Sequence, residues 1–253
     1  MTAVPDIGYG RQFAGFYDRL FPADAGVDQA VAFLAALHPG DGSPTLEFGV
    51  GTGRVAVPLS ERVGEVVGVD SSPEMLDVLR AAVGDRPVAA VHADIRDYTD
   101  GRSYGLVYCV CGTLSMLLDP EEQRRAVKAA ARRLAPGGRL VIETHNPAIA
   151  EALNQGKPRD SFFVPYPAPD TGLLSYSTVD LDNRLWHLAH IFFDDGRARV
   201  AAELSRLTTA EETDHYARSA GLELVDRHAD FWGNPFTGAE PMTVSVYRAA
   251  SDV

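Results

Sequence analysis

Apolar runs of four to eight residues recur along the first part of the chain, each closed by a turn signal and followed by a helix-patterned stretch. Thr45-Leu46-Glu47-Phe48 reads as a buried strand. Gly49-Val50-Gly51-Thr52-Gly53 follows as a glycine-rich turn, and Arg54-Val55-Ala56-Val57 opens a helix. Glu65-Val66-Val67-Gly68-Val69-Asp70 is a second strand ending in an acid; after it Ser72 suits a helix N-cap and Pro73 the first helical position. A third strand within 87–97 ends at Ala93-Asp94-Ile95, and a fourth covers 105–111. Asp119 caps the next helix, Pro120 takes its first position, and Glu121 and Glu122 complement its positive end. The helix is expected to run to Leu134 and to be stopped by Pro136-Gly137-Gly138, ahead of a fifth strand at 139–142. This alternation predicts a doubly wound α/β sheet.

Residues 27–37 carry Ala and Leu on a repeating face and predict a helix upstream of the first strand. After the fifth strand the alternation gives way to three strand-like runs at 172–180, 185–193 and 198–207, separated by Asp182-Asn183 and Asp194-Asp195-Gly196. Such turn chemistry predicts an inserted antiparallel meander. Thr208-Thr209-Ala210-Glu211-Glu212 has the form of a capping box, its helix stopped by Gly221, and 222–227 and 242–247 are the last strands. The expected organisation is an N-terminal helical lid (1–40), a core (41–160 with 206–253) and an inserted β cap (161–205).

The 253 residues, 45% hydrophobic and 23% charged, suffice for a sizeable core in one domain. A formal charge of −12 weighs against nucleic acid and anionic membrane as partners and favours a small or cationic one. No apolar run approaches the ~20 residues that span a bilayer, and the expected location is the cytoplasm. Cys109 and Cys111, two apart on a strand, are too close for an ordinary disulfide and too few for a zinc site. His187 and His190 point to opposite sides of a strand, so no metal is expected.

Glycines at alternate positions permit φ > 0 and close approach of a ligand to backbone N–H groups. An acid ending the second strand can accept hydrogen bonds from both ribose hydroxyls, which implies a nucleoside-bearing cofactor. NAD and S-adenosylmethionine both satisfy that pair of features. With Asp94 after the third strand added, the chain resembles the class I S-adenosylmethionine-dependent methyltransferases, and the stretch 133–142 extends the resemblance.

The resemblance implies a Rossmann-like, mostly parallel seven-stranded sheet whose last strand is antiparallel. It implies that Glu47, Gly49, Gly51 and Gly53 hold the methionine part, Asp70 the ribose and Asp94 the adenine amine. Met75 or Ser71 would lie against the adenine face with Ile95 beside it, and Cys111 would border cofactor and acceptor. In similar small-molecule enzymes an N-terminal Tyr-Asp segment folds over the sulfonium, which nominates Tyr17 and Tyr9; His145, at the end of the fifth strand, is the candidate base. Methyltransferases acting on nucleic acid bases carry Asp or Asn followed by Pro-Pro-aromatic after the fourth strand, and Cys111-Gly112-Thr113-Leu114 departs from it.

The expected reaction is N-methylation of a small molecule, such as an amino sugar or antibiotic intermediate. The expected assembly is a homo-oligomer formed through the insertion. O-methylation with His145 or Tyr17 as base, or a non-catalytic cofactor-binding role, are the alternatives. A dinucleotide oxidoreductase would need Gly-x-Gly-x-x-Gly instead of the alternate spacing found.

Overall fold

The computed structural model describes residues 8–166, 170–194 and 196–250. Asp195 of the expected turn and residues 1–7 of the expected lid lie outside the described residues. Three helices open the chain: α1 (Tyr9–Phe13), α2 (Tyr17–Leu20) and α3 (Ala25–Leu37), the last capped by Asp24, whose carboxylate accepts from the amides of Gly26 and Val27. Then come β1 (Thr45–Phe48), α4 (Ala56–Val63), β2 (Val66–Asp70), α5 (Pro73–Val83), β3 (Val88–His92) and β4 (Tyr104–Cys109). A 3-10 turn at Thr113–Met116 leads to α6 (Pro120–Ala131), β5 (Leu134–His145) and α7 (Pro147–Leu153). Four strands follow, β6 (Arg159–Pro165), β7 (Gly172–Asp180), β8 (Leu185–Asp194) and β9 (Arg197–Arg206), and α8 (Ala210–Ser219), β10 (Leu222–His228) and β11 (Met242–Ala249) complete the chain.

The main sheet has the order β10-β11-β5-β4-β1-β2-β3, with β11 antiparallel to both neighbours and strands β1 to β5 mutually parallel. The chain moves outward from β1 to β3 and returns to β4 on the other side of β1, so a crevice opens at the carboxyl ends of β1 and β4. Both strands are buried along their whole length because helices cover both faces. Leu46, Phe48 and Val107 pack on one side with Ala126 and Val127 of α6 and Tyr216 of α8. Leu106, Tyr108 and Val141 pack on the other with Val31 and Leu34 of α3 and Leu59 of α4.

Strands β6 to β9 form a separate antiparallel sheet. On β8, Trp186, Leu188, His190 and Phe192 are buried at alternate positions. Phe192 stacks on Phe16, with centroids 5.7 Å apart and planes 9° from parallel. The insertion and the N-terminal helices therefore share one aromatic cluster, which brings both to the mouth of the crevice. Among the described residues no helix is long and apolar enough to cross a membrane.

Two local expectations are corrected. Helix α6 ends at Ala131, not Leu134, and Pro136-Gly137-Gly138 form a bulge in β5: the pairing jumps from Tyr104 with Leu134 to Leu106 with Arg139. The backbone packs on itself there, since a Cβ on Gly138 would lie 3.0 Å from the carbonyl oxygens of Ala135 and Tyr104. The insertion has four strands, not three, because β6 is a largely exposed edge strand that needs no clean apolar alternation. The loop around 230–236 packs on α3: Phe231 is buried edge-on to Phe33, and its carbonyl accepts from Gln29.

Candidate functional site

The three glycines after β1 all have positive φ, at +77°, +54° and +86° for Gly49, Gly51 and Gly53, but they do different things. A Cβ on Gly49 would lie 2.2 Å from Thr113 Cγ2, and one on Gly53 would lie 2.4 Å from Leu79 Cδ1. At Gly51 such an atom would meet nothing within 4 Å. Gly53 packs against Leu79 of α5 and does not border the cavity.

Gly51 opens into a cavity of about 480 Å³, the size of a site for a drug-sized ligand. Glu47 and Gly49 line it from β1 and its turn, Asp70, Ser71 and Met75 from the β2–α5 junction, and Asp94 and Ile95 from beyond β3. Cys111 joins from beyond β4, and Tyr9 and Tyr17 from α1 and α2. A Cβ on Gly10 would fall 1.8 Å from Ser72 Oγ, so α1 lies directly on the start of α5.

Asp70 accepts from the backbone amides of Gly51 (2.8 Å) and Ser72 (2.9 Å), which ties the glycine turn to the end of β2. Burial pushes its pKa up against those bonds. Burial would also raise Asp94, but the Arg96 guanidinium, 2.6 Å from Oδ2, overcomes it and holds the carboxyl below its usual range. Arg96 bonds Glu122 as well. Glu47 accepts from Tyr108 Oη at 2.7 Å and burial pushes it up to about 8; Glu143, which accepts from the Cys111 amide at 2.7 Å, is pushed by burial to about 7.

These two raised acids set a pH dependence. Between their ordinary value of 4.5 and their folded values of about 7 and about 8, the folded protein holds protons that the unfolded chain has lost. Stability therefore falls as pH rises through that window. Thermal melting of the ligand-free protein at pH 5 to 8 is expected to show a falling midpoint, and Glu47→Gln, which keeps the shape and removes the charge, should flatten the fall; an unaltered slope would contradict it.

Tyr9 and Tyr17 are both raised, first by burial; Tyr17 also feels Cys111, and Tyr9 feels Tyr17 and Glu203. Both are thereby held as neutral phenols. The Cys111 thiol is open to the cavity yet enclosed by protein, and burial together with Glu143 pushes its pKa up. His145 does not line the cavity. Its ring lies edge-on to Trp186 at 5.4 Å and under Gly112, off the cavity wall, with burial lowering its pKa.

Several polar lining residues were not among the expected site residues, His187 of β8, Arg54 and Glu203 among them. Arg54 directly follows the glycine triplet; its guanidinium lies 5.9 Å from the Tyr17 ring centroid, and its buried Nε has no hydrogen-bond partner. Glu203 comes from β9, far along the chain, where no local motif marks it. The donor set suits an adenosyl amino acid: two separated carboxylates for hydroxyl and amine donors, open backbone at Gly51, and an unpartnered arginine Nε for a carboxylate.

A family model described as a methyltransferase domain matches residues 45–138. Cypemycin N-terminal methyltransferase from Streptomyces sp is 31% identical over 209 residues, covering 82% of this chain and 83% of that protein. The dTDP-3-amino-3,6-dideoxy-alpha-D-glucopyranose N,N-dimethyltransferase of Streptomyces fradiae is 31% identical over 147 residues, 56% of each chain. The solved structure of the CcbJ methyltransferase from Streptomyces caelestis superposes with a TM-score of 0.84 at 35% identity, covering 96% of this chain and 98% of that one. Together with the crevice, its carboxylates and its glycine turn, this similarity over nearly the full length places the chain in the family of S-adenosylmethionine-dependent methyltransferases.

Proposed function

We propose that this enzyme methylates an amine nitrogen of a small natural-product intermediate, an amino sugar or a compound bearing a comparable free amine. The observation that carries this reading is the 31% identity over 82% of the chain to a protein named as an N-terminal methyltransferase, with Tyr9 and Tyr17 held as neutral phenols on the cavity wall. An alcohol needs a group to take its proton during attack, whereas an amine brings its own lone pair. The named activities of the cypemycin and amino-sugar relatives, both on nitrogen, support the same choice.

S-adenosylmethionine, when bound, supplies an electrophilic methyl group on a sulfonium. Asp70 would take the ribose hydroxyls with the lone pairs its two backbone contacts leave free, and Asp94, steadied by Arg96, would take the adenine amine. Met75 and Ile95 would flank the adenine. Glu47 and the backbone at Gly49 and Gly51 would hold the amino-acid end, with Arg54 on its carboxylate. Tyr9 and Tyr17 close the mouth, orient the acceptor and exclude water, so that holding the reacting atoms in line supplies most of the rate enhancement.

The test is incubation with methyl-labelled donor and paired amines and alcohols of the same skeletons. Label is expected on the amines. Label on alcohols with none on amines would overturn the reading.

A further inference from the structure

Glu47, Asp70, Asp94, Glu122 and Glu203 all line the cavity, and the protein itself engages all but the last. Glu47 accepts from Tyr108, Asp70 from two backbone amides, and Asp94 and Glu122 from Arg96. Among the described residues the ion contact of Glu203 is His190 Nε2 at 3.8 Å, beyond hydrogen-bond reach. That nitrogen belongs to a ring 6% exposed and has no hydrogen-bond partner, while Ser175 Oγ holds the other ring nitrogen at 2.8 Å.

The location is costly. In the register of the insertion, Glu203 pairs with Leu188 of β8, which pairs with Ser177 of β7. All three belong to the inward face, whose other members include Trp186, Phe192 and Ala201. A carboxylate there loses part of its hydration without gaining a protein hydrogen bond. With 18% of its side-chain surface still exposed and a place on the cavity wall, this carboxylate is open to a ligand. The phenols of Tyr9 and Tyr17, which line the same cavity from α1 and α2, feel its charge.

We propose that Glu203 receives the acceptor's nitrogen: its carboxylate accepts an N–H of a primary or secondary amine and faces the positive charge that this nitrogen acquires. The inference rests on the N-methylation reading and narrows its acceptors to amines that carry an N–H. In the transfer the nitrogen lone pair forms the C–N bond and the C–S bond breaks with its pair going to sulfur. Charge passes from sulfur to nitrogen as an N-methylammonium, whose extra proton is later released to solvent. A neutral amine has no such charge before transfer, so the carboxylate stabilises the transition state more than the bound substrate. His190, behind Glu203, is a positioning residue.

The experiment uses the full chain with S-adenosylmethionine and two probes, an alanyl tripeptide with a free N-terminus and a 3-amino-3-deoxyhexose, each beside its N-acetyl form. On whichever amine the wild type turns over, Glu203→Gln is expected to lower kcat by about a hundredfold, with acceptor KM changed by less than about threefold. Glu203→Asp should recover part of the rate. Calorimetry gives a readout independent of turnover: Glu203→Gln should bind S-adenosylhomocysteine as the wild type does, and bind the N-methylated product roughly tenfold more weakly, through loss of a charge-assisted hydrogen bond.

A kcat within about threefold of wild type, or a loss confined to KM, would overturn the assignment to Glu203 while leaving N-methylation standing. A wild type that binds S-adenosylhomocysteine yet labels neither amine would overturn both.

Discussion

Replacing Asp70 with Ala is expected to weaken S-adenosylhomocysteine binding by more than about a hundredfold. Hydrogen bonds to a charged group contribute about 1.5–3 kcal/mol each, and a buried donor left unpaired costs about 1–3 kcal/mol. The substitution removes the acceptor assigned to the ribose and also frees the amides of Gly51 and Ser72, so the turn loses its tie to β2. A combined loss near 3 kcal/mol corresponds to about two powers of ten in Kd. Asp70→Asn keeps an oxygen for Gly51 and loses the charge, and its Kd should fall between the two. Calorimetric titration decides: an Asp70→Ala Kd close to that of the wild type would refute the ribose assignment.

The second large effect separates two glycines that look alike on paper. Gly49→Ala places a side chain at φ +77° with its Cβ 2.2 Å from Thr113 Cγ2. Left-handed backbone costs about 1–2 kcal/mol for a residue with a Cβ, and overpacking typically about 1–3 kcal/mol. The sum, about 2–5 kcal/mol, should lower the melting temperature by roughly 5–15 °C in a chain of this size. Thr113→Ala in the same chain should recover part of the loss, since it removes the two closest clashing atoms. Gly51→Ala meets open space instead. It should melt within a few degrees of the wild type, by about the left-handed cost alone, and lose cofactor affinity, because its methyl enters the cavity. Equal melting temperatures for Gly49→Ala and the wild type would remove the packing argument.

The helix starts at Ser72, Asp119 and Thr209 were legible in the sequence because capping is local: the acceptor and the amide it bonds lie within three residues of one another. The β1 strand, its glycine turn and the acids at Asp70 and Asp94 were legible for a similar reason, each being a strand end followed by its own turn. The edge strand β6 was not, since an exposed strand has no buried face to impose alternation.

Tertiary packing decided matters that no window of sequence contains. Thr113 and Leu79, distant in the chain, leave no room for a side chain at Gly49 and Gly53, whereas Gly51 opens into the cavity. Trp186 draws His145 off the wall, and stacking of Phe192 on Phe16 brings the insertion against α1 and α2. That contact sets Glu203 beside Tyr9 and Tyr17. Local periodicity reports which face of a strand is buried, but what the face is buried against depends on contacts between segments nearly 180 residues apart, here Phe16 and Phe192, so the strand ends and turns that line the crevice were written in short motifs, whereas the place of Glu203 on the cavity wall was written only in the fold.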